Sequence, residues 1–283
     1  MQRIRALGQL IREHKLRSML FFLGILILLF PIVSQVSYYL ASHQKINQFE
    51  HQVSSLDRSD INRRIDLAQA YNSAISKHLL LEDPFTPQEK NGLQEYARML
   101  EVNEQLGYLA IPTIGLDLPI YAGTSAKVLE KGSGHLEGSS LPVGGQSTHS
   151  VLTAHRGLPS ARLFTDLNQL KKGDRFYVTN LKETLAYKVN QIKVIEPSQL
   201  DALTIVEGKD YVTLLTCTPY MINSHRLLVR GERISLPLKK INQKKRSSIS
   251  MYQYYRWLLY VVIVGLLLLV MTLSKRYLVR RKS

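Results

Sequence analysis

Two long apolar runs bracket the chain, and the pattern between them changes once, from helical to strand-like. The first run, residues 19–33, follows Arg3, Arg5, Arg12, Lys15 and Arg17 and continues more weakly to Leu40, as a signal anchor or signal peptide would. No Ala-x-Ala cleavage pattern follows it, which favours an uncleaved anchor over residues 18–40. The second run, residues 257–273, contains no charged residue and is introduced by Tyr252, Tyr254, Tyr255 and Trp257, as at a membrane interface. A buried core helix would carry a polar stripe, and here there is none, so a second membrane helix is expected. The basic cluster before the first run places residues 1–17 in the cytoplasm, and a second span returns residues 274–283 there. Charges on the two sides of the second run do not decide orientation by themselves.

Between the runs, residues 46–81 read as helix, with Ile61, Ile65, Leu67, Ala68, Tyr71 and Ile75 at roughly helical spacing. Asp83, Pro84 and Pro87 break it. A second helix is expected over residues 88–105, with Thr86 as N-cap and Pro87 as first helical residue. After Gly107 the texture changes to short runs of Val, Ile, Thr and Tyr separated by Gly, Pro, Asn and Asp, the signature of an all-β barrel or sandwich. Strands are predicted at 107–111, 116–120, 149–153, 175–179, 184–196, 210–215 and 226–230. The organisation is then a helical N-terminal region over 41–106, a β-domain over 107–237, and a basic linker over 238–256 leading to the second run.

Composition narrows the chemistry. The formal net charge is +15, but the first 17 residues carry +4 and the last ten +5, which leaves about +6 between them. No RNP, zinc-finger or helix-turn-helix pattern accompanies that basicity, so nucleic acid is not an expected partner. The cluster between Lys239 and Arg246 reads as a solvated linker able to rest on anionic lipid or wall polymer. The chain has a single cysteine, which excludes an internal disulfide and leaves an exported thiol as either buried filler or nucleophile. Scattered histidines without a ligand cluster, no EF-hand loop and no phosphate-cradling glycine motif give no reason to expect a metal or cofactor.

Cys217 ends the apolar segment Tyr211-Val-Thr-Leu-Leu-Thr-Cys and is followed two residues later by Pro219, which cannot supply a ladder N–H, so it sits at a strand end facing a loop. A strand beginning at Arg226 follows after eight residues. If the two pair as a hairpin, Cys217 and Arg226 lie side by side, a guanidinium able to stabilise an oxyanion beside the attacking sulfur. The alternative is a cysteine used as a small buried hydrophobe. Of eight histidines, His14 precedes the first run, and His43, His51 and His78 lie in the helical region. His135 falls in a glycine-rich loop, where a loop-stabilising hydrogen bond is expected. His149 starts the strand that His155 ends, and His225 points away from the face of Arg226. His155, at a strand end before Arg156-Gly157, matches the setting of Cys217 and is the candidate acid/base. Such a thiol–imidazole couple is mostly neutral at pH 7.

Thr213-Leu-Leu-Thr-Cys217 with Arg226, and Thr153-Ala-His155-Arg-Gly upstream, resemble the sortase signature. The resemblance runs from Gly107 to Leu236 through Gly107-Tyr-Leu-Ala-Ile-Pro, Leu118-Pro-Ile-Tyr, Gly134-His-Leu-Glu-Gly and Leu227-Leu-Val-Arg-Gly. It is nearest the class C, pilus-assembling branch. That implies a mainly β fold, an eight-stranded barrel with N-terminal helices and flanking transmembrane helices, displayed on the Gram-positive cell surface; nothing in the sequence fixes the oligomeric state, and a monomer is the expectation. It implies Cys217 as nucleophile, His155 as proton donor and Arg226 as oxyanion partner, with Thr216 helping to position the site. Asp83-Pro84-Phe85 resembles the lid of that branch, in which Asp83 would engage Arg226 and Phe85 cover Cys217. The implied reaction cleaves an LPxTG-like sorting signal between Thr and Gly through a thioester, and a pilin Lys amine then resolves it. Met221 departs from the branch, which commonly has glycine there. Three other readings are a housekeeping sortase acting on a peptidoglycan amine, a thiol hydrolase, and a non-catalytic membrane-tethered scaffold.

Overall fold

In the computed structural model, the structure describes residues 2–75, 81, 83–85, 93–102, 104–235, 260 and 265. Eight strands follow the helical region: β1 (Gln105–Ile111), β2 (Leu116–Ala122), β3 (Ser133–His135), β4 (Thr148–Thr153), β5 (Arg175–Thr179), β6 (Thr184–Ile195), β7 (Asp210–Thr218) and β8 (His225–Ile234). They close in the order β1-β2-β3-β4-β7-β8-β6-β5, and closure removes both sheet edges. Most neighbours are antiparallel, but β2 with β3 and β4 with β7 run parallel. Alternation sorts the side chains: Leu152, Val212, Leu214, Leu227 and Val229 join the interior core, whereas Val151, Leu215 and Leu228 build a smaller cluster on the outer face of the same strands.

The sequence reading found seven strands and missed β3. Its three residues lie in the glycine-rich segment, too short for a periodic signal, and they are fixed by partners distant in sequence. β7 and β8 are also longer than expected, so Cys217 and Arg226 lie within the ladder.

The helical region differs more. Helix α1 (Gln2–Ser55) runs through the first apolar segment without interruption, and α2 (Arg58–Ala74) starts after extended Asp57 and stops at extended Ile75. The expected single helix over 46–81 is therefore broken at Asp57, and Asp60 in the first turn of α2 pairs with Arg63 and Arg64 of the next. Of the helix expected over 88–105, the described part is a 3-10 helix over Leu93–Leu100. The chain then reverses in a tight bridge between Val102 and Gln105, with Glu104 at φ 67°, so Gln105 opens a strand. The expected N-cap at Thr86, the first helical residue Pro87 and residues 88–92 of that helix lie outside the described residues.

Both helices pack on the barrel. Phe49 of α1 is buried in the core and meets Tyr108 edge-on, while Ser42 Oγ donates to Asp117 O and Tyr38 Oη to Lys131 O. On α2, Ile65 and Ala68 are buried, and the Asn72 amide clasps the Leu141 backbone, donating to its carbonyl at 3.1 Å and accepting from its N–H at 2.7 Å.

Among the described residues no helix is long and apolar enough to cross a membrane, so the two expected spans find no support in the structure. Met19, Leu23, Leu26, Ile27, Phe30 and Val33 of the first run are exposed on α1. Of residues 257–273, only Tyr260 and Gly265 are among the described residues.

Candidate active site

Three neighbouring strands carry the candidate residues to one level. The parallel β4–β7 ladder sets Thr153 opposite Leu215, and two further residues along each chain bring His155 level with Cys217. Ala154 N–H donates to Leu215 O, and Thr216 Oγ1 donates 2.7 Å to Ala154 O, so the register persists beyond the ladder. Neighbouring strands lie about 4.8 Å apart. On the other side, antiparallel pairing sets Cys217 directly opposite Arg226. Cys217 shares strand parity with Leu215, and Arg226 with Leu228, so both face the outer cluster rather than the interior. Thr216 has the opposite parity. It is fully buried toward the interior, and its hydroxyl acts on the backbone next to His155.

A short turn containing Asp83, Pro84 and Phe85 closes this face. Asp83 takes both forks of Arg226: Nε donates to Oδ1 and Nη2 to Oδ2, each at 2.6 Å. The two side chains are 6% and 7% exposed. Arg226 Nη1 also donates to the carbonyls of Asn223 and His225. The Phe85 ring centre is 5.2 Å from the Arg226 guanidinium and 5.6 Å from the His155 ring, so it lies against both the cation and the imidazole. Leu81 and Phe85 pack against the outer cluster of Leu136, Val151, Leu203, Leu215 and Leu228.

This cover sets the ionisation. Burial is the largest influence on Cys217 and pushes its thiol up to about 11, with Arg226 pulling it down and Asp83 pushing it further up. Burial lowers the His155 imidazole, opposed by the charge of Glu130. For Arg226, burial is the largest influence and works against the cation, but Asp83 and Cys217 together outweigh it and the guanidinium is held above its ordinary value. The covered site therefore holds a neutral thiol beside a neutral imidazole.

The sortase-domain family model matches residues 109–234. Among solved structures, the sortase C2 of Group B Streptococcus pilus island 1 is 70% identical, with 64% of this chain and 100% of that one covered at a TM-score of 0.61. The chain belongs to the sortase family. Sortase C-1 of Streptococcus pneumoniae matches at 57% identity, 69% and 100% coverage and a TM-score of 0.66. The sortase A of Bacillus anthracis is 27% identical over 199 residues, 70% of this chain and 80% of that protein. Sortases are cysteine transpeptidases of the Gram-positive cell surface, and the structural neighbours place this one with the class C enzymes.

In this sortase the rings of His135 and His149 are engaged elsewhere. His135 is buried, its Nε2 within 2.8 Å of Ser140 O, and His149 bridges Thr204 O and Thr213 Oγ1. Burial is the main influence that lowers both imidazoles to about 4. His225 is exposed beside Ser224. Met221, where the branch commonly has glycine, adopts φ 65°, the left-handed conformation that glycine takes without steric cost. The sequence reading did not single out Leu81 or Glu130. Leu81 read as the end of a helix, and Glu130 lies in the six-residue helix α3 (Ala126–Lys131), too short to show a period. No group of three or more potential metal ligands occurs among the described residues.

Proposed function

We propose that this sortase cleaves an LPxTG-like sorting signal between Thr and Gly and transfers the acyl group to a Lys amine of a pilin subunit. The observation that carries this reading is the convergence of His155, Cys217 and Arg226 on one outer barrel face, closed by Asp83, Pro84 and Phe85. In the covered state both forks of Arg226 are occupied by Asp83, so no oxyanion can be received until that turn moves.

Once it has moved, the Cys217 thiol gives its proton to His155 as the sulfur attacks the Thr carbonyl carbon. Arg226 donates to the resulting oxyanion. The C–N bond then breaks, His155 returns the proton to the departing Gly amine, and a thioester remains on Cys217. A neutral pilin Lys amine attacks that thioester and its surplus proton passes to His155; the C–S bond then breaks as the isopeptide bond forms, and His155 gives the proton to the departing sulfur, restoring the thiol. Thr216 serves by holding Ala154. The exposed apolar residues of α1 from Met19 to Val33, and residues 257–273, would anchor the enzyme to the membrane with its barrel outside.

Incubating the full-length chain with a pilin bearing a sorting signal tests this. Mass spectrometry should find an acyl adduct on Cys217 and covalent pilin multimers, and both should vanish in Cys217→Ala. Product released only to water would establish a hydrolase. Transfer only to a peptidoglycan amine would establish a wall-anchoring enzyme, and an unchanged Cys217→Ala phenotype a scaffold.

A further inference from the structure

The backbone that presents His155 leaves the β4 ladder at Thr153 and turns away at Gly157, which has φ 89°. Between these points two side-chain bridges tie it to the strand carrying the sulfur. The first joins Thr216 to Ala154. The second lies two residues further along both chains, where Arg156 Nη1 donates 2.8 Å to Thr218 Oγ1. Cys217 lies between the two threonines, and His155 lies between Ala154 and Arg156. The guanidinium also reaches the following loop, with Nε donating 3.2 Å to Thr165 O. Thr165 Oγ1 in turn accepts from Gly157 N–H, and Phe164 N–H donates to His155 O.

We propose that Arg156 and Thr218 are a positioning pair that holds the His155 backbone level with Cys217. This inference rests on the reading of His155 and Cys217 as the reacting couple. The reasoning is geometric. β7 ends at Thr218 and the next residue is Pro219, which has no N–H to donate, so backbone pairing cannot extend the register at this level. A side-chain bond must do so, and a general acid that drifts by about 1 Å from its leaving group loses up to roughly 100-fold in rate. Arginine suits the task because its planar fork serves Thr218 and Thr165 at once, which a lysine ammonium on a flexible stem does not reproduce.

The test compares Thr218→Val, Thr218→Ser, Arg156→Lys, Cys217→Ala and His155→Ala in the full-length chain, with and without Asp83→Ala. Thioester formation on an LPxTG-like peptide is followed as a function of concentration and pH. Thr218→Val and Arg156→Lys should lower kcat by about 10- to 100-fold, leave KM nearly unchanged, and move the limb of the pH profile that belongs to His155. Thr218→Ser keeps the hydroxyl and should restore the native rate. Iodoacetamide alkylation of Cys217 should not change, because the sulfur itself is not held by the brace. Native kcat and pH profile in Thr218→Val and Arg156→Lys, alongside an inactive Cys217→Ala, would overturn the positioning role alone. Turnover by Cys217→Ala would overturn the reading beneath it. If Arg156→Lys does not fold, the near-isosteric Val and Ser variants of Thr218 still decide.

Discussion

Replacing Asp83 by alanine removes the carboxylate that holds Arg226 and should open the site. Two charge-assisted hydrogen bonds of 2.6 Å are lost, between side chains only 6% and 7% exposed, so solvent screens them little. Bonds to charged groups contribute about 1.5–3 kcal/mol each. Water replaces part of that once the turn swings out, so the pair holds the closed state by about 2–4 kcal/mol. Each 1.4 kcal/mol is about a factor of ten in population, which raises the open fraction by roughly 30- to 1,000-fold unless it saturates. Two electrostatic effects act in the same direction. Burial of the thiol is relieved, and the carboxylate that pushes it up is gone while Arg226 still pulls it down. The assay is the second-order rate of Cys217 alkylation by iodoacetamide at pH 7.5, followed by mass spectrometry on the full-length chain. A rise of at least about 30-fold is expected for Asp83→Ala, and a smaller one for Asp83→Asn, which keeps the size and a weaker hydrogen bond. An alkylation rate within threefold of the native one, in a variant that retains its circular dichroism spectrum, would refute the argument.

Acid should weaken the fold through His135 and His149. Both rings are buried and held neutral, with imidazoles lowered to about 4 from 6.5. Their contribution is present above pH 6.5 and is lost as pH falls toward 4, about 3 kcal/mol for each ring. Calorimetry should show a falling unfolding midpoint across that window, and a flat one would contradict it. Asn72→Ala should cost about 2 kcal/mol in urea denaturation with an unchanged slope, because it strands the buried N–H and carbonyl of Leu141. Met221→Gly should stabilise by about 0.5 kcal/mol, the relief of a left-handed conformation less the greater chain entropy of glycine. The Met221 side chain is 66% exposed and gives up little packing, so a loss above about 1 kcal/mol would disprove the strain.

The sequence determined what depends on neighbours along the chain. The end of β7 follows from Thr218-Pro219, and the eight-residue loop to Arg226 follows from the spacing. A short loop between two strands leaves an antiparallel hairpin as the simple solution, so the Cys217–Arg226 pair was legible before any coordinates. His155 could be selected as a strand-end histidine, but its distance from Cys217 could not be read. Sixty-two residues separate them, and their meeting depends on a parallel β4–β7 pairing made by a crossover that no local pattern encodes. β3 escaped for the same reason. Helix boundaries failed where tertiary contacts override periodicity, at Asp57 and at the Val102–Gln105 reversal. Asp83 lies 143 residues from Arg226; the resemblance of Asp83-Pro84-Phe85 to a lid led to that pair, but a three-residue turn has too little periodicity for local pattern to reveal what it covers. The physical basis of that meeting is tertiary: closing the sheet puts the ends of β4, β7 and β8 on one outer face, where the charge on Arg226 and the cluster around Leu215 can hold the turn.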